Sequence, residues 1–154
     1  MNFTRRNLIK FSLALPVIGG VAQPVFAQPK KPKWYATDGV AINGYDPVAY
    51  FNASAPIQGT AEQATDFDGV TWYFSSAKNK AAFIANPDGF TPQFGGYCAY
   101  AVSKGSTATT QPDAWTVWND RLYLNYNKIV RGIWRQDIPG NVAKAEANWP
   151  GVLA

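Results

Sequence analysis

Histidine is missing from this chain of 154 residues, and cysteine and methionine occur once each. Without histidine there is no imidazole general base, no Ser-His-Asp triad and no imidazole metal ligand. A single cysteine closes no intramolecular disulfide. In an oxidising compartment Cys98 would be buried, metal-bound, reactive or paired with a second chain. Charged residues are scarce at 16 %, whereas aromatic residues reach 15 %, a globular composition rather than a disordered one. Long apolar runs are absent too. Phe11 to Ala22 is diluted by Ser12, Pro16, Gly19 and Gly20 and falls short of the ~20 apolar residues a membrane span needs, so no stable membrane anchor is expected.

What that run does have is the frame of a targeting segment. Arg5-Arg6 stands before it, Lys10 trails the pair, and Val25-Phe26-Ala27 offers small residues where a signal peptidase reads. The first 27 residues resemble a bacterial twin-arginine leader, with Leu8 where that pattern often has Phe. The resemblance implies cleavage after Ala27, the twin-arginine export machinery as a partner and a periplasmic destination. An ordinary secretory signal peptide is the alternative. Three of the fourteen basic residues (Arg5, Arg6 and Lys10) lie in this segment, which leaves eleven against ten acidic ones, a net charge of +1. The pI near 9.2 is therefore no argument for nucleic acid as a partner.

The rest divides into an extended tail, residues 28–37, with Lys30, Lys31 and Lys33 as a solvated spacer, and one domain, residues 38–154. Gly39 to Tyr45 reads as a short strand between glycines. Asp46 then caps a helix over Pro47 to Phe51. Ala61–Phe67 and Val70–Phe74 flank Asp68-Gly69, a two-residue hairpin signal. Ser75 or Ser76 caps a helix over 77–85, with Ala77, Ala81 and Ile84 on the face expected to meet the sheet. A second hairpin pairs Trp115–Trp118 with Arg121–Tyr126 around Asn119-Asp120. Asn127 caps Lys128 to Gln136, with Ile129, Val130, Ile133 and Trp134 as its apolar stripe. Pro139-Gly140 breaks that helix, and Asn141 caps a last one to Asn148. The expected class is α+β: a small antiparallel sheet made from the two hairpins, with helices packed on it.

The stretch Phe94-Gly95-Gly96-Tyr97-Cys98-Ala99-Tyr100 is the candidate chemical centre, because two glycines precede the only cysteine and tyrosines flank it. Cys98 has three readings: a small buried apolar residue, a weak metal-ligand candidate, or a reactive thiol activated by Lys104 or Arg121. Tyr45, Tyr50, Tyr97, Tyr100, Tyr123 and Tyr126 are either packing residues or the lining of an aromatic pocket for a small ligand, with Asp46 and Cys98 at its wall.

Tyr45-Asp46-Pro47-Val48, Asp68-Gly69, Trp72-Tyr73-Phe74-Ser75-Ser76, Phe83 and Asn86-Pro87 together resemble the YHS domain. Gly96-Tyr97-Cys98-Ala99-Tyr100, Leu122 to Tyr126 and Ala147-Asn148-Trp149-Pro150 resemble an exported branch of it and extend the match to nearly the whole mature chain. The resemblance implies a small binding module and a metal ion, copper in particular, as its cofactor. Where metal-binding members carry cysteines this chain has Ala49, Ser75 and Asn79, so the inherited soft-metal donors are missing. The expected function is an exported, non-enzymatic module for a small ligand or metal ion. The alternatives are a thiol-dependent periplasmic enzyme or redox protein using Cys98, and an accessory subunit docking on a periplasmic partner through tryptophans such as Trp118.

Overall fold

The computed structural model describes residues 30–154. The leader, its cleavage after Ala27 and the first two residues of the tail lie outside the described residues. Mixed helix and sheet make the molecule α+β. Among the described residues no helix is long and apolar enough to cross a membrane.

The first sheet orders its strands β1-β2-β4-β3, with β1 Ala36–Thr37, β2 Val40–Ala41, β3 Thr60–Phe67 and β4 Val70–Phe74. The β3–β4 hairpin closes at Asp68-Gly69, where φ is +49° and +83°, the doubly left-handed pair that a two-residue turn demands. A second hairpin, β5 Trp115–Trp118 and β6 Arg121–Leu124, turns at Asn119-Asp120 with φ of +49° and +56°. The two hairpins do not join in one sheet. The edge of β4 facing away from β3 is taken by β2, which pairs in parallel through Val40 and Thr71, and β5–β6 stands apart as a two-stranded sheet. The strand expected over Gly39–Tyr45 is cut to Val40–Ala41, because Ile42–Gly44 turn in a single 3-10 turn with left-handed Asn43.

The separate hairpin has its own use: it partitions the interior. Trp115, Val117, Leu122 and Leu124 face a cluster built on Trp72, Phe74, Phe83 and Tyr50. Trp118 and Tyr123, on the other side of the same ladder, face a cluster of Phe94, Tyr97, Val102, Trp134 and Val142. The period-2 alternation of strand side chains thus feeds two cores from one hairpin.

The helices are α1 Ala49–Asn52, α2 Ala77–Ala85, α3 Pro87–Phe90, α4 Ala99–Ser103, α5 Lys128–Trp134 and α6 Ile138–Asn148. Ser76 caps α2 by accepting from Asn79 N–H at 3.1 Å, and Asn127 caps α5 by accepting from Val130 N–H at 2.8 Å, as their side chains suit them to do. The faces differ from expectation. Ala77, Ala81 and Ile84 point outward, Ile84 being 56 % exposed. The buried residues are Asn79 and Phe83, whose ring packs 5.3 Å from Trp72 and 5.1 Å from Phe74. One aromatic ring buries more apolar area than the alanines can, and so sets the rotation of a nine-residue helix. In α5 the same contest leaves Trp134 buried and Ile129 and Ile133 75 % and 42 % exposed. Pro139-Gly140 does not break a helix; it lies in the first turn of α6, where Pro lacks no needed N–H. Asp137 is the cap, accepting from Gly140 N–H at 3.0 Å. Asn141 is buried within that helix and donates to the Trp134 carbonyl.

Lys31 to Tyr35 form a strap docked on the body. Lys31 N–H donates to the Leu153 carbonyl at 2.8 Å, Tyr97 OH to the Pro32 carbonyl at 2.9 Å, and Tyr35 N–H to the Gly95 carbonyl at 2.7 Å. Trp34 is buried, edge-on to Trp72 at 5.2 Å. The paired glycines make room for this. Gly95 has φ +62°, and a Cβ there would overlap the Lys33 carbonyl oxygen; at Gly96 (φ +80°) it would lie 2.7 Å from an Ile42 methyl.

Candidate functional site

Asp46 is fully buried and is the hub of one corner of the molecule. Its Oδ1 accepts from Val48 N–H (2.9 Å) and Ala49 N–H (3.3 Å), which holds the start of α1. Its Oδ2 accepts from Ser75 N–H (2.8 Å), Ser75 Oγ (2.6 Å) and Asn79 Nδ2 (2.7 Å). Asn79 Oδ1 in turn accepts from Asn52 Nδ2 at 2.9 Å. The fold therefore gathers Asp46 with the Ala49 N–H and with Ser75 and Asn79. A carboxylate offers about four lone-pair sites, and five donors already use them. The residues present fit one another and do not fit a soft metal ion, which needs thiolate, thioether or imidazole donors.

Cys98 is a free thiol, 1 % exposed, at the start of α4. Its sulfur lies 3.7 Å from Asn125 Oδ1, which also accepts from Tyr100 N–H at 3.3 Å. The two cations proposed as its activators are engaged elsewhere. Lys104 Nζ sits 5.0 Å over the Tyr100 ring, and Arg121 Nη1 donates to Gln93 Oε1 at 3.3 Å. Among the described residues no group of three cysteine or carboxylate side chains is placed to hold a metal.

The tyrosines do not converge. Tyr45 and Tyr50 belong to the first cluster, Tyr97, Tyr100 and Tyr123 to the second, and Tyr126 is half exposed. Tyr50 OH donates to the Pro112 carbonyl at 3.0 Å, and burial, with Tyr45, Asp113 and Asp46 adding, keeps that hydroxyl protonated far above the ordinary tyrosine range. Burial also raises Tyr97, and raises Tyr123 against the opposing pull of Arg121. Neither Asp46 nor Cys98 lines any of the four clefts described among residues 30–154, and of the seven proposed ligand residues only Tyr123 does.

The largest of these clefts, about 470 Å³, opens where the strap meets the two clusters. Lys33 and Trp34 of the strap and Gln93 to Gly95 line it. Asn119 and Asp120 of the β5–β6 turn, Arg121 at the start of β6, Asp88 and Trp149 also line it. Its backbone is unusually twisted: Phe94, Gly95, Asn119 and Asp120 all have positive φ. At Phe94 (φ +54°) this is a conformation bulky residues avoid, and such outliers collect at ligand sites. Lys33 Nζ bridges to Asp68 Oδ2 at 2.5 Å, and Trp34 Nε1 donates to the same oxygen at 2.9 Å. These two donors, Lys33 first, hold the Asp68 carboxyl below its ordinary value. They also fix the cleft's strap wall.

Of the sequence motifs, the Phe94-Gly95 start of the glycine stretch and the Asn119-Asp120 turn lie at this place. Lys33 reads in the sequence as part of a solvated spacer, Arg121 as a strand end and a candidate activator of Cys98, and Trp149 as part of the Ala147-Asn148-Trp149-Pro150 motif, while Gln93 has no reading of its own. No family model, no curated protein and no solved structure matches this chain.

Proposed function

We propose that this chain is an exported, YHS-like binding module for a small polar ligand, with the strap cleft as its binding site and no catalytic centre. The cleft carries the reading. It is of ligand size, it is lined by indoles and by polar side chains with unused hydrogen-bonding capacity, and Phe94 in its lining has φ +54°. Export is supported by Arg5-Arg6, the weak apolar run and the small-residue site before Gln28. Family likeness is supported by the quoted motifs and by the way Asp46, Ser75 and Asn79 gather in space. The closed donor set at that corner favours a small molecule over a metal ion.

A thermal-shift screen tests this. Wild type and Arg121→Ala are compared against amino acids, sugars, dicarboxylates, nucleotides, Cu²⁺ and Zn²⁺. Arg121 is exposed, so its truncation leaves the fold intact. At least one small molecule is expected to raise the wild-type Tm by binding the folded state, with the shift lost in Arg121→Ala. Stabilisation by Cu²⁺ or Zn²⁺ alone, unchanged in Arg121→Ala, would contradict it.

A further inference from the structure

The sheet order β1-β2-β4-β3 leaves β3 at an edge, with β4 on one side of it and no strand on the other. Its free backbone groups follow from the register. Phe67 and Val70 flank the two-residue turn and exchange hydrogen bonds, so Asp66 opposite Thr71 and Ala64 opposite Tyr73 are the non-bonded pairs. Thr71 agrees with this phase: its N–H turns away from β3 and donates to the Gly39 carbonyl at 3.0 Å. Ala64 and Asp66 therefore point their N–H and C=O groups outward, and among the described residues no backbone group bonds to them.

Beside that edge runs α2. Phe67 meets Phe83 edge-on at 5.6 Å, and a cleft of about 170 Å³ lies between strand and helix, lined by Thr65, Asp66, Phe67, Phe83, Ile84 and Pro87. It shares no residue with the strap cleft. Its volume is below that of small-molecule pockets and suits a single apolar side chain. Ile84 in its lining is 56 % exposed. A strand laid along β3 would bond to Ala64 and Asp66 and alternate its side chains between the two faces of the sheet. On the α2 face one of them enters the cleft and covers Ile84. On the opposite face its neighbours come beside Asp66, whose Oδ1 accepts from Thr71 Oγ1 at 2.7 Å and whose Oδ2 is unpaired among the described residues.

Charge selects the occupant. β3 and β4 hold two carboxylates, Glu62 and Asp66, and no cation, whereas sheet edges are commonly guarded by lysine. Lys78 and Lys80 stand on α2, across the sheet from the face Asp66 points to. Even with both counted against Glu62, Asp66 and Asp88 of α3, carboxylates outnumber cations, and Asp68 at the turn is matched by Lys33. A second copy of β3 would bring the Glu62 and Asp66 carboxylates of both chains onto one ribbon, a like-charge arrangement that opposes self-pairing. We infer that β3 takes an extended basic segment of another protein, with Lys or Arg alternating with β-branched apolar residues. It adds as a fifth strand, sets a cation beside Asp66 and places an apolar side chain in the β3–α2 cleft.

The test is ¹H–¹⁵N shift mapping and amide exchange of the mature chain with a capped nonapeptide of alternating Arg and Val at millimolar concentration. A Glu–Val peptide of the same length and an Arg–Val peptide N-methylated throughout are the controls. The Arg–Val peptide is expected to shift residues 64–67 and Ile84 and to slow exchange of the Ala64 and Asp66 amides, while neither control does. Ile84→Ser should weaken that binding about tenfold, the scale of losing cover for a large apolar side chain. Asp66→Asn should weaken it about threefold, the scale of one cross-strand ion pair. No shift with the Arg–Val peptide, equal binding of the Glu–Val peptide, or binding that leaves both amides exchanging freely would each overturn the inference. Protection of those amides without peptide, growing with protein concentration, would make the occupant a second copy and overturn it as well.

Discussion

At the scale of single residues, stability and binding separate. Among the described residues Asp46 makes no salt bridge; its carboxylate accepts from five N–H and O–H donors. Removing the carboxylate strands the buried donors among them, the Val48 and Ala49 N–H groups and Asn79 Nδ2. Asp46→Ala is therefore expected to cost about 3–5 kcal/mol, read as a lower urea midpoint at unchanged m-value; a loss below ~1 kcal/mol would contradict the hub role. Cys98 makes the opposite kind of prediction. Buried against Asn125, it should resist a water-soluble thiol reagent in the folded protein and react only on unfolding. Rapid labelling of native protein would restore the thiol-based reading. That Asp46 serves the start of a helix was legible in Asp-Pro-Val, although α1 begins at Ala49 with Val48 as its N-cap rather than at Pro47, and Asp46 reaches it through the Val48 and Ala49 N–H groups. Its grip on Ser75 and Asn79 was not legible, since nothing local links positions 46 and 79.

At the scale of elements, the sequence spoke clearly where geometry is local. Asp68-Gly69 and Asn119-Asp120 marked both turns, because only small polar residues and glycine accept two left-handed conformations in a row. Ser76 and Asn127 marked their helices for an equally local reason. Helix rotation was misjudged wherever one large ring had to be weighed against several small apolar side chains, as with Phe83 against Ala77, Ala81 and Ile84. Sheet assembly was out of reach, since β2 joining β4 depends on a chain reversal at Ile42–Gly44 that its residues do not announce.

The strap is the element with the most to test. Asp68 holds it through Lys33 and Trp34, and its folded pKa lies below its ordinary value of 3.8. A lowered carboxyl favours the docked form above the unfolded pKa, and that contribution is lost as pH falls through the folded value. The Trp34 indole N–H resonance should therefore report strap release below pH 3.8 while the hairpin amides persist. Asp68→Asn should remove this pH dependence; an unchanged profile would show that Asp68 does not hold the strap. Gly95→Ala should loosen the same strap, because a side chain is strained at φ +62° and collides with the Lys33 carbonyl. The expected loss is about 2–4 kcal/mol.

At the scale of the whole molecule, one hairpin between two hydrophobic clusters creates the seam on which the strap and the β5–β6 turn meet. The cleft at that seam draws on residues from Lys33 to Trp149, nearly the full length of the described chain. No window of sequence contains it, which is why attention fell on Cys98 and its tyrosines instead. They lie close by in sequence but are spent on packing: Tyr97 on the Pro32 carbonyl, and Tyr123 on Trp134 at 5.2 Å. The measurement that bears most directly on the account is a comparison of ligand-induced backbone shifts in wild type, Cys98→Ser and Arg121→Ala. The strap cleft predicts shifts centred on 33–34, 88, 91–95, 119–121 and 149, kept in Cys98→Ser and lost in Arg121→Ala. Shifts centred on residues 97–100 and 125, lost in Cys98→Ser and kept in Arg121→Ala, would contradict it and return the site to the cysteine.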